Sequence, residues 1–300
     1  MAFFKIKGVI PPMITPFKDN DEVDYEGFVK NVEKWNEFDL AGYLVLGSNS
    51  ETVYLTEEEK LKLIELTVKH KKEDKLVMVG TGMESTRETI SLTNKAAELG
   101  ADCALILTPF YYGGKMNDEA LINYFTEVAD DVNIPVLIYN VTKFTHVNIS
   151  PKAVGVLSKH PNIIGMKDSS GNIPQLVDFK AVLDLNAFNL MVGTASAWYP
   201  ALTLGIEGSV MALANCCPGE CIEIQKEYDA GNEYKAREIY ERVFPVNSAV
   251  TGKYGIAGLK YACDLLGFNG GYVRKPLLQI TSTEKNGLKE VLEKALLLNK

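Results

Sequence analysis

The chain alternates between short apolar runs and longer segments whose apolar residues recur at helical spacing. Eight of the apolar runs are nearly continuous in hydrophobicity, and glycine, proline or polar residues bound each of them. This pattern is typical of strands buried on both faces of a parallel sheet. The predicted strands are residues 8–17, 42–47, 75–82, 103–109, 134–140, 163–168, 188–194 and 208–215.

Amphipathic segments lie in nearly every gap between these strands. Two of them begin with a capping-box pattern, formed by Thr56 with Glu59 and by Ser85 with Glu88. Eight strands that alternate with helices predict an α/β fold, the (β/α)8 TIM barrel. A doubly wound open sheet is the main alternative. However, the GTG sequence at residues 80–82 lacks the third glycine and the acidic residue of a dinucleotide-binding motif.

The strand pattern ends at Asn215, and the remainder of the chain is predicted to be helical. The first of these helices completes the barrel as its eighth. No Pro-rich or Ser-rich linker interrupts the chain. We therefore predict a barrel domain at residues 1–230 and a C-terminal helical extension at residues 231–300 that packs on the barrel.

The 300 residues carry a net charge of −8, with 31 Lys and Arg against 39 Asp and Glu. So acidic a chain lacks the electrostatic footprint of a protein that binds nucleic acid or an anionic membrane. No apolar run reaches the ~18 residues of a membrane-spanning helix, and the N-terminus lacks the apolar core of a signal peptide. The sequence therefore predicts a cytoplasmic protein.

Cysteine and histidine do not form the pattern of a metal centre. Cys216, Cys217 and Cys221 are clustered, but no CxxC pair is present and no histidine lies nearby. Small buried side chains in a reducing compartment explain these cysteines better. Because the three histidines do not share a helical turn, a metal-dependent hydrolase or aldolase and a His-based triad are both disfavoured. We predict no metal site.

The active site of such a barrel lies at the carboxyl ends of its strands. Lys167 ends an otherwise apolar strand, so its amine is expected to project into the mouth of the barrel. A partly desolvated lysine has a lowered pKa and can attack a carbonyl to form a Schiff base. The alternative is a structural ion pair with a carboxylate such as Asp168. Tyr139 ends the preceding strand, where its phenol could relay protons or simply fill a layer of the barrel.

Two loops at the same edge add candidate residues. Ser48 and Asn49 lie on a strand-to-helix loop, where converging backbone N–H groups can bind a carboxylate or phosphate. A tight turn with local caps would have the same sequence. Tyr111 and Tyr112 could belong to the site, but exposed aromatic residues on loops also commonly form interfaces between proteins. A nucleophilic lysine, a phenol and an anion-binding loop together favour carbonyl chemistry on a small carboxylate.

Four strings resemble those of the dihydrodipicolinate synthase/N-acetylneuraminate lyase family, in the same order along essentially the whole chain. They are GSNSE at residues 47–51, TPFYY at 108–112, IYNV at 138–141 and GMKDSSG at 165–171. Members are pyruvate-dependent class I aldolases on a (β/α)8 barrel, and most are homotetramers built as a dimer of dimers. The resemblance therefore implies a lyase that forms a covalent imine between its substrate and a lysine and needs no cofactor.

The resemblance also implies roles for individual residues. Lys167 would be the Schiff-base lysine and Tyr139 the proton-shuttling phenol. Ser48 would take the hydroxyl relay position, and Tyr111 would complete a relay in the neighbouring subunit across the tight-dimer interface. The pyruvate pocket and the second-substrate pocket would be formed by Ser48, Asn49, the backbone of Val210, Phe144, Ser169, Thr194 and Ser196.

Three positions depart from the pattern of the synthases. Their YNVPxRTG segment places an arginine against the carboxylate of the second substrate, whereas here Phe144 occupies that position and Thr142 replaces the proline. An apolar ring cannot form the bidentate pair that an arginine forms with a carboxylate. Ser50 replaces a glycine of the GTTGE and GSTGE motifs, which predicts an altered loop geometry.

Other strings resemble the 4-hydroxy-2-oxoglutarate aldolase branch more closely, among them GTGMEST at residues 80–86 and NSAVTGKYGIAGLK at residues 247–260. We therefore expect an aldolase of that kind, which forms or cleaves a bond at the methyl carbon of pyruvate with a small aldehyde or 2-oxo acid as partner. The alternatives are 4-hydroxy-tetrahydrodipicolinate synthase, a sugar-acid lyase or dehydratase, and a ligand-sensing barrel without catalysis.

Overall fold

A computed structural model describes residues 3–298, and within them eight strands alternate with helices. Every strand pairing is parallel, and the strands follow the order β1-β8-β7-β6-β5-β4-β3-β2 in the sheet. The predicted (β/α)8 barrel is therefore confirmed. The strands are β1 (Gly8–Ile10), β2 (Gly42–Val45), β3 (Leu76–Gly80), β4 (Cys103–Leu107), β5 (Val136–Asn140), β6 (Ile163–Asp168), β7 (Asn189–Val192) and β8 (Gly208–Val210).

Backbone hydrogen bonds between the regions of β1 and β2 bring the two ends of this sheet together. The Ala41 amide donates to the Val9 carbonyl at 2.9 Å, and the Leu44 amide donates to the Pro11 carbonyl at 3.0 Å. A parallel bridge joins Pro12 to Leu44. The carboxyl ends of all eight strands consequently surround a single mouth.

β1 and β8 are shorter than predicted. β1 ends at Ile10 because the next two residues, Pro11 and Pro12, have no amide hydrogens to continue the ladder. β8 ends at Val210, and Ala212–Asn215 form a 3-10 helix instead of more strand. The predicted carboxyl ends of β1 and β8 were wrong, because an apolar run does not by itself distinguish a buried strand from a buried turn of helix.

Helices fill the gaps between strands and continue beyond the last strand. Thr56 forms the full capping box with Glu59, and the Ser85 hydroxyl accepts a hydrogen bond from the Glu88 amide, so both predicted helix starts are confirmed. The helices are α1 (Tyr25–Trp35), α2 (Glu57–His70), α3 (Thr86–Glu98), α4 (Asp118–Asp131), α5 (Thr142–Thr145), α6 (Pro151–Leu157), α7 (Ile173–Val182), α8 (Trp198–Thr203), α9 (Pro218–Asp229), α10 (Glu233–Ser248), α11 (Gly255–Leu265) and α12 (Ser282–Lys294).

The apolar core has two layers. The inner layer fills the barrel with alternate strand residues such as Ile10, Leu105 and Met191. The outer layer packs the strands against the surrounding helices and includes Trp35 and Phe125, both fully buried. Because side chains fill the barrel, a substrate can be bound at its mouth, where the strands end.

The C-terminal part is helical, as predicted. α9 packs against β1 as the eighth barrel helix, and α10 lies along α9. A π-helical segment, Ala249–Lys253, leads into α11, which packs on α12. The domain boundary at residue 230, between α9 and α10, stays a prediction. Among residues 3–298 no helix is long and apolar enough to cross a membrane.

Candidate active site

Lys167 and Tyr139 lie side by side at the mouth of the barrel. They are register partners in β6 and β5, and the Lys167 amine lies 4.1 Å from the centroid of the Tyr139 ring. Lys167 is only 3% exposed and Tyr139 only 7% exposed, although both residues are at strand ends. The strand register therefore places a nearly dry amine directly against a phenol.

Burial and mutual contact change the pKa of both groups. Burial penalises the charged amine and lowers the pKa of Lys167, and contact with Tyr139 opposes this shift only in part. Burial also raises the pKa of the Tyr139 phenol. The Lys167 charge and hydrogen bonding with Ser48, Ser169 and Lys167 together outweigh that effect, so the phenol pKa lies below its ordinary value. A lysine nearer to its neutral form and a more acidic phenol are suited to nucleophilic attack with proton transfer.

Asp168 does not serve as the ionic partner of Lys167. Its side chain accepts hydrogen bonds from Asn140 Nδ2 at 2.7 Å, from Gln175 Nε2 at 3.0 Å and from the Ser170 hydroxyl at 2.5 Å. Successive residues of a strand face opposite sides, so Asp168 lies on the far side of β6 from the amine. The structural ion pair considered as an alternative is therefore not formed, and a polar network that the sequence analysis missed fixes the ends of β5 and β6.

Ser48 and Asn49 begin the turn between β2 and α2. The Ser48 hydroxyl lies 3.4 Å from the Tyr139 hydroxyl, so the turn reaches the Lys167 side of the mouth. Ser48–Ser50 form a 3-10 helix in which the Ser50 amide donates to the Gly47 carbonyl. The amides of Ser48 and Asn49 belong to the first turn of this 3-10 helix, before the Ser50 amide, and therefore have no acceptor within the helix. They are therefore available to an oxyanion near Tyr139.

Ser50 does not distort this turn in the way that its replacement of glycine suggested. It belongs to the right-handed 3-10 helix, and its hydroxyl donates to the Met13 carbonyl at 2.6 Å. The residue with left-handed backbone angles is Glu51, at φ 54° and ψ 37°. A serine is therefore accommodated without backbone strain, because the position that needs a positive φ is one residue further along.

Polar side chains from β6 and β7 border the same mouth. Ser169 Oγ is buried beside the Tyr139 hydroxyl and makes no well-formed hydrogen bond within the described residues. The Thr194 and Ser196 hydroxyls lie 3.0 Å apart, and the Tyr240 hydroxyl donates to the Ser196 carbonyl at 2.7 Å. A buried hydroxyl beside Lys167 and Tyr139, without a well-formed hydrogen bond, suits a polar group of a ligand that would complete its hydrogen bonding.

The segment after β5 carries no arginine at the position that a synthase uses. Phe144 lies on α5 and is 55% exposed. Neighbouring Lys143 donates to the Thr251 carbonyl at 2.6 Å, so its amine is tied to the C-terminal part. At the position where the synthases have an arginine, the structure therefore has the exposed apolar ring of Phe144.

Val210 and Tyr111, the two remaining candidates, are placed very differently. Val210 ends β8, is fully buried and belongs to the inner layer of the barrel. Tyr111 is 75% exposed, and its ring packs edge-on against Tyr112 at 5.0 Å. The Glu84 carboxylate accepts the Tyr111 amide at 2.9 Å and so anchors the loop. Val210 is close to the site within this chain, whereas Tyr111 faces outward.

The cysteines are buried and free, as the sequence analysis expected. Within residues 3–298 no group of three or more His, Cys, Asp and Glu side chains has the geometry to hold a metal ion.

Comparisons with known proteins agree with this geometry. A model of the dihydrodipicolinate synthetase family matches residues 5–295. A 4-hydroxy-tetrahydrodipicolinate synthase from Methanothrix thermoacetophila is 34% identical over 291 residues, which cover 96% of each chain. The crystal structure of dihydrodipicolinate synthase from Aquifex aeolicus has a TM-score of 0.90 at 33% identity and covers 97% of this chain and 98% of its own.

A prophage protein of the dihydrodipicolinic acid synthase family from E. coli K12, solved in complex with pyruvate, has a TM-score of 0.91 at 27% identity. The match covers 97% of this chain and 99% of that one. The names of the curated relatives favour the synthase, which the sequence left as an alternative, over the 4-hydroxy-2-oxoglutarate aldolase branch, which stays a prediction. Aldolases of this family bind pyruvate as a Schiff base on a lysine and use no external cofactor. The chain belongs to the dihydrodipicolinate synthase family of pyruvate-dependent class I aldolases.

Proposed function

We propose that Lys167 forms a Schiff base with pyruvate, and that the enzyme makes or cleaves a carbon–carbon bond at the pyruvate methyl carbon in the cytoplasm. The observation that carries this proposal is the buried Lys167 amine, 4.1 Å from the Tyr139 ring centroid. The Ser48 hydroxyl, 3.4 Å from the Tyr139 hydroxyl, supplies the next member of a proton relay.

The reaction begins when the neutral Lys167 amine attacks the ketone carbon of pyruvate. The carbinolamine loses its hydroxyl as water, with a proton from the Tyr139 phenol, and leaves a protonated imine. The Tyr139 phenolate that this step leaves takes a proton from the methyl carbon, the imine accepts the remaining electron pair, and an enamine results. The enamine carbon attacks the carbonyl carbon of the second substrate, whose oxygen takes that proton back from the Tyr139 phenol. Water then hydrolyses the imine and frees the amine, and cleavage follows the same steps in reverse.

The turn at Ser48 and Asn49 would hold the pyruvate carboxylate. The Ser48 hydroxyl lies 3.4 Å from the Tyr139 hydroxyl, and a carboxylate at this turn would receive hydrogen bonds from both amides while the ketone carbon faces Lys167. The backbone of Val210, at the end of β8, would also line the pocket. Holding the carboxylate fixes the orientation of the ketone and so accelerates attack.

Tyr111 would act in a second copy of the chain. Its ring is 75% exposed and lies on a loop that Glu84 anchors, which suits insertion across a tight-dimer interface. A homotetramer built as a dimer of dimers is the assembly that the family resemblance implies. Light scattering tests it, and a fully active monomer would remove Tyr111 from the relay.

For the second substrate, we propose aspartate semialdehyde, the partner in the synthase reaction. The names of relatives at 32–35% identity over nearly the whole chain support this choice. Ser169, Thr194 and Ser196 would contact this substrate beside Phe144.

A second candidate is cleavage of 4-hydroxy-2-oxoglutarate. The strings at residues 80–86 and 247–260, which resemble that aldolase branch, support it. Phe144 stands where a synthase has its carboxylate-binding arginine, and the Lys143 amine is bound to the Thr251 carbonyl. This arrangement counts against the synthase, although Phe144 also departs from the small polar residue that is usual in the aldolase branch. Neither side chain can form a bidentate pair with a substrate carboxylate in this arrangement.

The first test is reduction with borohydride in the presence of pyruvate, followed by mass spectrometry of the peptide that contains residues 165–171. We expect a stable pyruvate adduct on Lys167 in the wild type and none in Lys167→Ala. Lys75→Ala is the matched control, because Lys75 is also a buried lysine, 6% exposed, but precedes β3 at the opposite end of the barrel. Folded wild-type protein that forms no adduct in excess pyruvate would refute the proposal.

Steady-state assays then identify the partner. Aspartate semialdehyde with pyruvate, 4-hydroxy-2-oxoglutarate, sialic acid and 2-keto-3-deoxy sugar acids are compared by kcat/KM. The synthase assignment requires the highest value for aspartate semialdehyde, and preferential cleavage of 4-hydroxy-2-oxoglutarate would replace it with the second candidate.

A further inference from the structure

A buried ion pair joins the turn at the active site to the C-terminal helices. Glu51 directly follows the 3-10 helix Ser48–Ser50, and Lys260 lies in the middle of α11. The Lys260 amine is 2.5 Å from Glu51 Oε1, and the two side chains are 1% and 2% exposed. The contact therefore links a residue beside the proposed carboxylate turn to one that is 209 positions away.

Each member of the pair is also bound by neighbouring backbone. The Lys260 amine donates to the Tyr272 carbonyl at 2.5 Å and lies 4.5 Å from the centroid of the Phe17 ring. Glu51 Oε2 accepts the Arg274 amide at 2.8 Å. With both carboxylate oxygens contacted, the Glu51 side chain has one defined position.

The backbone of Glu51 shows why that position matters. Its φ of 54° lies in the left-handed region, which a residue with a side chain adopts only when the surroundings hold it there. Its amide donates to the Ser48 carbonyl at 3.2 Å and closes the 3-10 helix. A rotation of Glu51 out of this conformation would turn the peptide planes of Ser48 and Asn49.

A packing role alone would not require charges at this place. A buried ion pair contributes little net stability compared with well-packed apolar side chains of similar volume, because desolvation offsets the attraction. Burial lowers the pKa of Lys260 to about 8, which is the direction that desolvation predicts. What the pair adds is a close charged contact between the turn and α11.

We propose that Glu51 and Lys260 are positioning residues, which hold the amides of Ser48 and Asn49 in the orientation that binds the pyruvate carboxylate. This inference rests on the proposed function, since it assigns a cause to the orientation of the same turn. Neither side chain touches the substrate, so their effect on the reaction passes through the turn.

The test compares Lys260→Met with the double variant Glu51→Gln/Lys260→Met. Lys260→Met leaves a buried carboxylate unpaired and is expected to lower the melting temperature. The double variant removes both charges, and its introduced glutamine keeps an oxygen for the Arg274 amide, so most of the melting temperature should return. Lys75→Met is the matched control, since it removes a buried lysine that pairs with Asp74 at 2.8 Å, away from the mouth.

The readout is borohydride trapping of pyruvate at increasing pyruvate concentration. For both Lys260 variants the half-saturating pyruvate concentration should rise about tenfold, whereas the maximal trapping rate should fall less than about threefold, the pattern of lost substrate binding. If the half-saturating pyruvate concentration stays about tenfold higher in the double variant although its melting temperature is restored, the effect on binding comes from the lost positioning and not from lost stability. Lys75→Met should leave the half-saturating concentration unchanged.

A folded double variant with wild-type half-saturation would overturn the positioning role and leave the proposed function intact, because the wild type would still form the adduct. An equal rise in Lys75→Met would overturn it as well, since the effect would then follow from any lost buried charge. No adduct in the wild type would overturn the proposed function and this inference together.

Discussion

Gly193, which directly follows β7, is the position where the structure allows the sharpest perturbation of the site. A Cβ atom added there would lie 1.7 Å from Ser169 Oγ, 2.8 Å from Ser169 Cβ and 2.9 Å from Lys167 Cε. Real side chains do not approach so closely, and the Gly193 amide is held by the Asp168 carbonyl at 2.7 Å. In Gly193→Ala, therefore, Ser169 and the Lys167 side chain must move.

The size of the effect follows from these distances. Ordinary contact distances are about 3.4 Å, so Ser169 Oγ must move by about 1.7 Å and Lys167 Cε by about 0.5 Å. A 1 Å misplacement of a reacting group costs about 100-fold in rate, so a shift of about half that size at Lys167 should slow trapping by about 10-fold, or about 1.4 kcal/mol of barrier. Overpacking at such a site costs about 1–3 kcal/mol of folding stability, which a barrel of this size survives.

The assay is the rate of pyruvate trapping on Lys167, with circular dichroism to verify folding. Gly219→Ala is the control, because a Cβ there meets only Phe38 at 3.8 Å. Ser169→Gly in the Gly193→Ala background removes the closest clash and should recover part of the rate. A folded Gly193→Ala enzyme with wild-type trapping would refute the placement of Lys167 and Ser169 on which the reasoning depends.

Four other predictions concern charge. The trapping rate should rise with pH through the pKa of Lys167, because only the neutral amine attacks, and burial should place that rise below the pH 10.5 of a free lysine. Tyr139→Phe should slow trapping and also shift the rise to lower pH, because contact with the phenol raises the Lys167 pKa; an unshifted profile would contradict this coupling. Phe144→Arg should raise kcat/KM for aspartate semialdehyde by about 10- to 100-fold, the value of a charged hydrogen-bonded pair, and leave pyruvate trapping unchanged. An unchanged kcat/KM would mean that the second substrate does not reach α5. In urea denaturation, Lys260→Met should lower the free energy of unfolding by about 3–5 kcal/mol, because it leaves the buried Glu51 carboxylate without its ionic partner. A decrease of less than about 1 kcal/mol would mean that this carboxylate is not charged in the folded protein.

The departures from the synthase pattern have different structural weight. Ser50 causes no backbone strain, because the left-handed residue of the turn is Glu51, and the Ser50 hydroxyl donates a hydrogen bond to the Met13 carbonyl. Phe144 removes a cation from the second-substrate side, and the neighbouring Lys143 is engaged elsewhere. In the proposed site, the residues assigned to pyruvate therefore match the family pattern best, and the residues assigned to the second substrate depart from it most.

The sequence by itself predicted the barrel and placed two candidate residues at its mouth. Eight continuous apolar runs separated by amphipathic segments have few ways to bury both faces of every strand, and the closed parallel barrel is one of them. A lysine and a tyrosine at the ends of consecutive runs must then reach the same mouth, because all strands of the barrel point the same way. Lys167 and Tyr139 could be named as candidates for that reason, whereas their roles were implied by the resemblance to a known family.

Only the tertiary structure decided what surrounds them. The register between β5 and β6 set the 4.1 Å contact of amine and ring, and it turned Asp168 away into a network with Asn140. The pairing of Glu51 with Lys260 depends on where α11 packs, which no local pattern encodes across 209 residues. Hydrophobic spacing is a property of neighbours along the chain, whereas a hydrogen bond or ion pair depends on the packing of distant segments to within about an ångström.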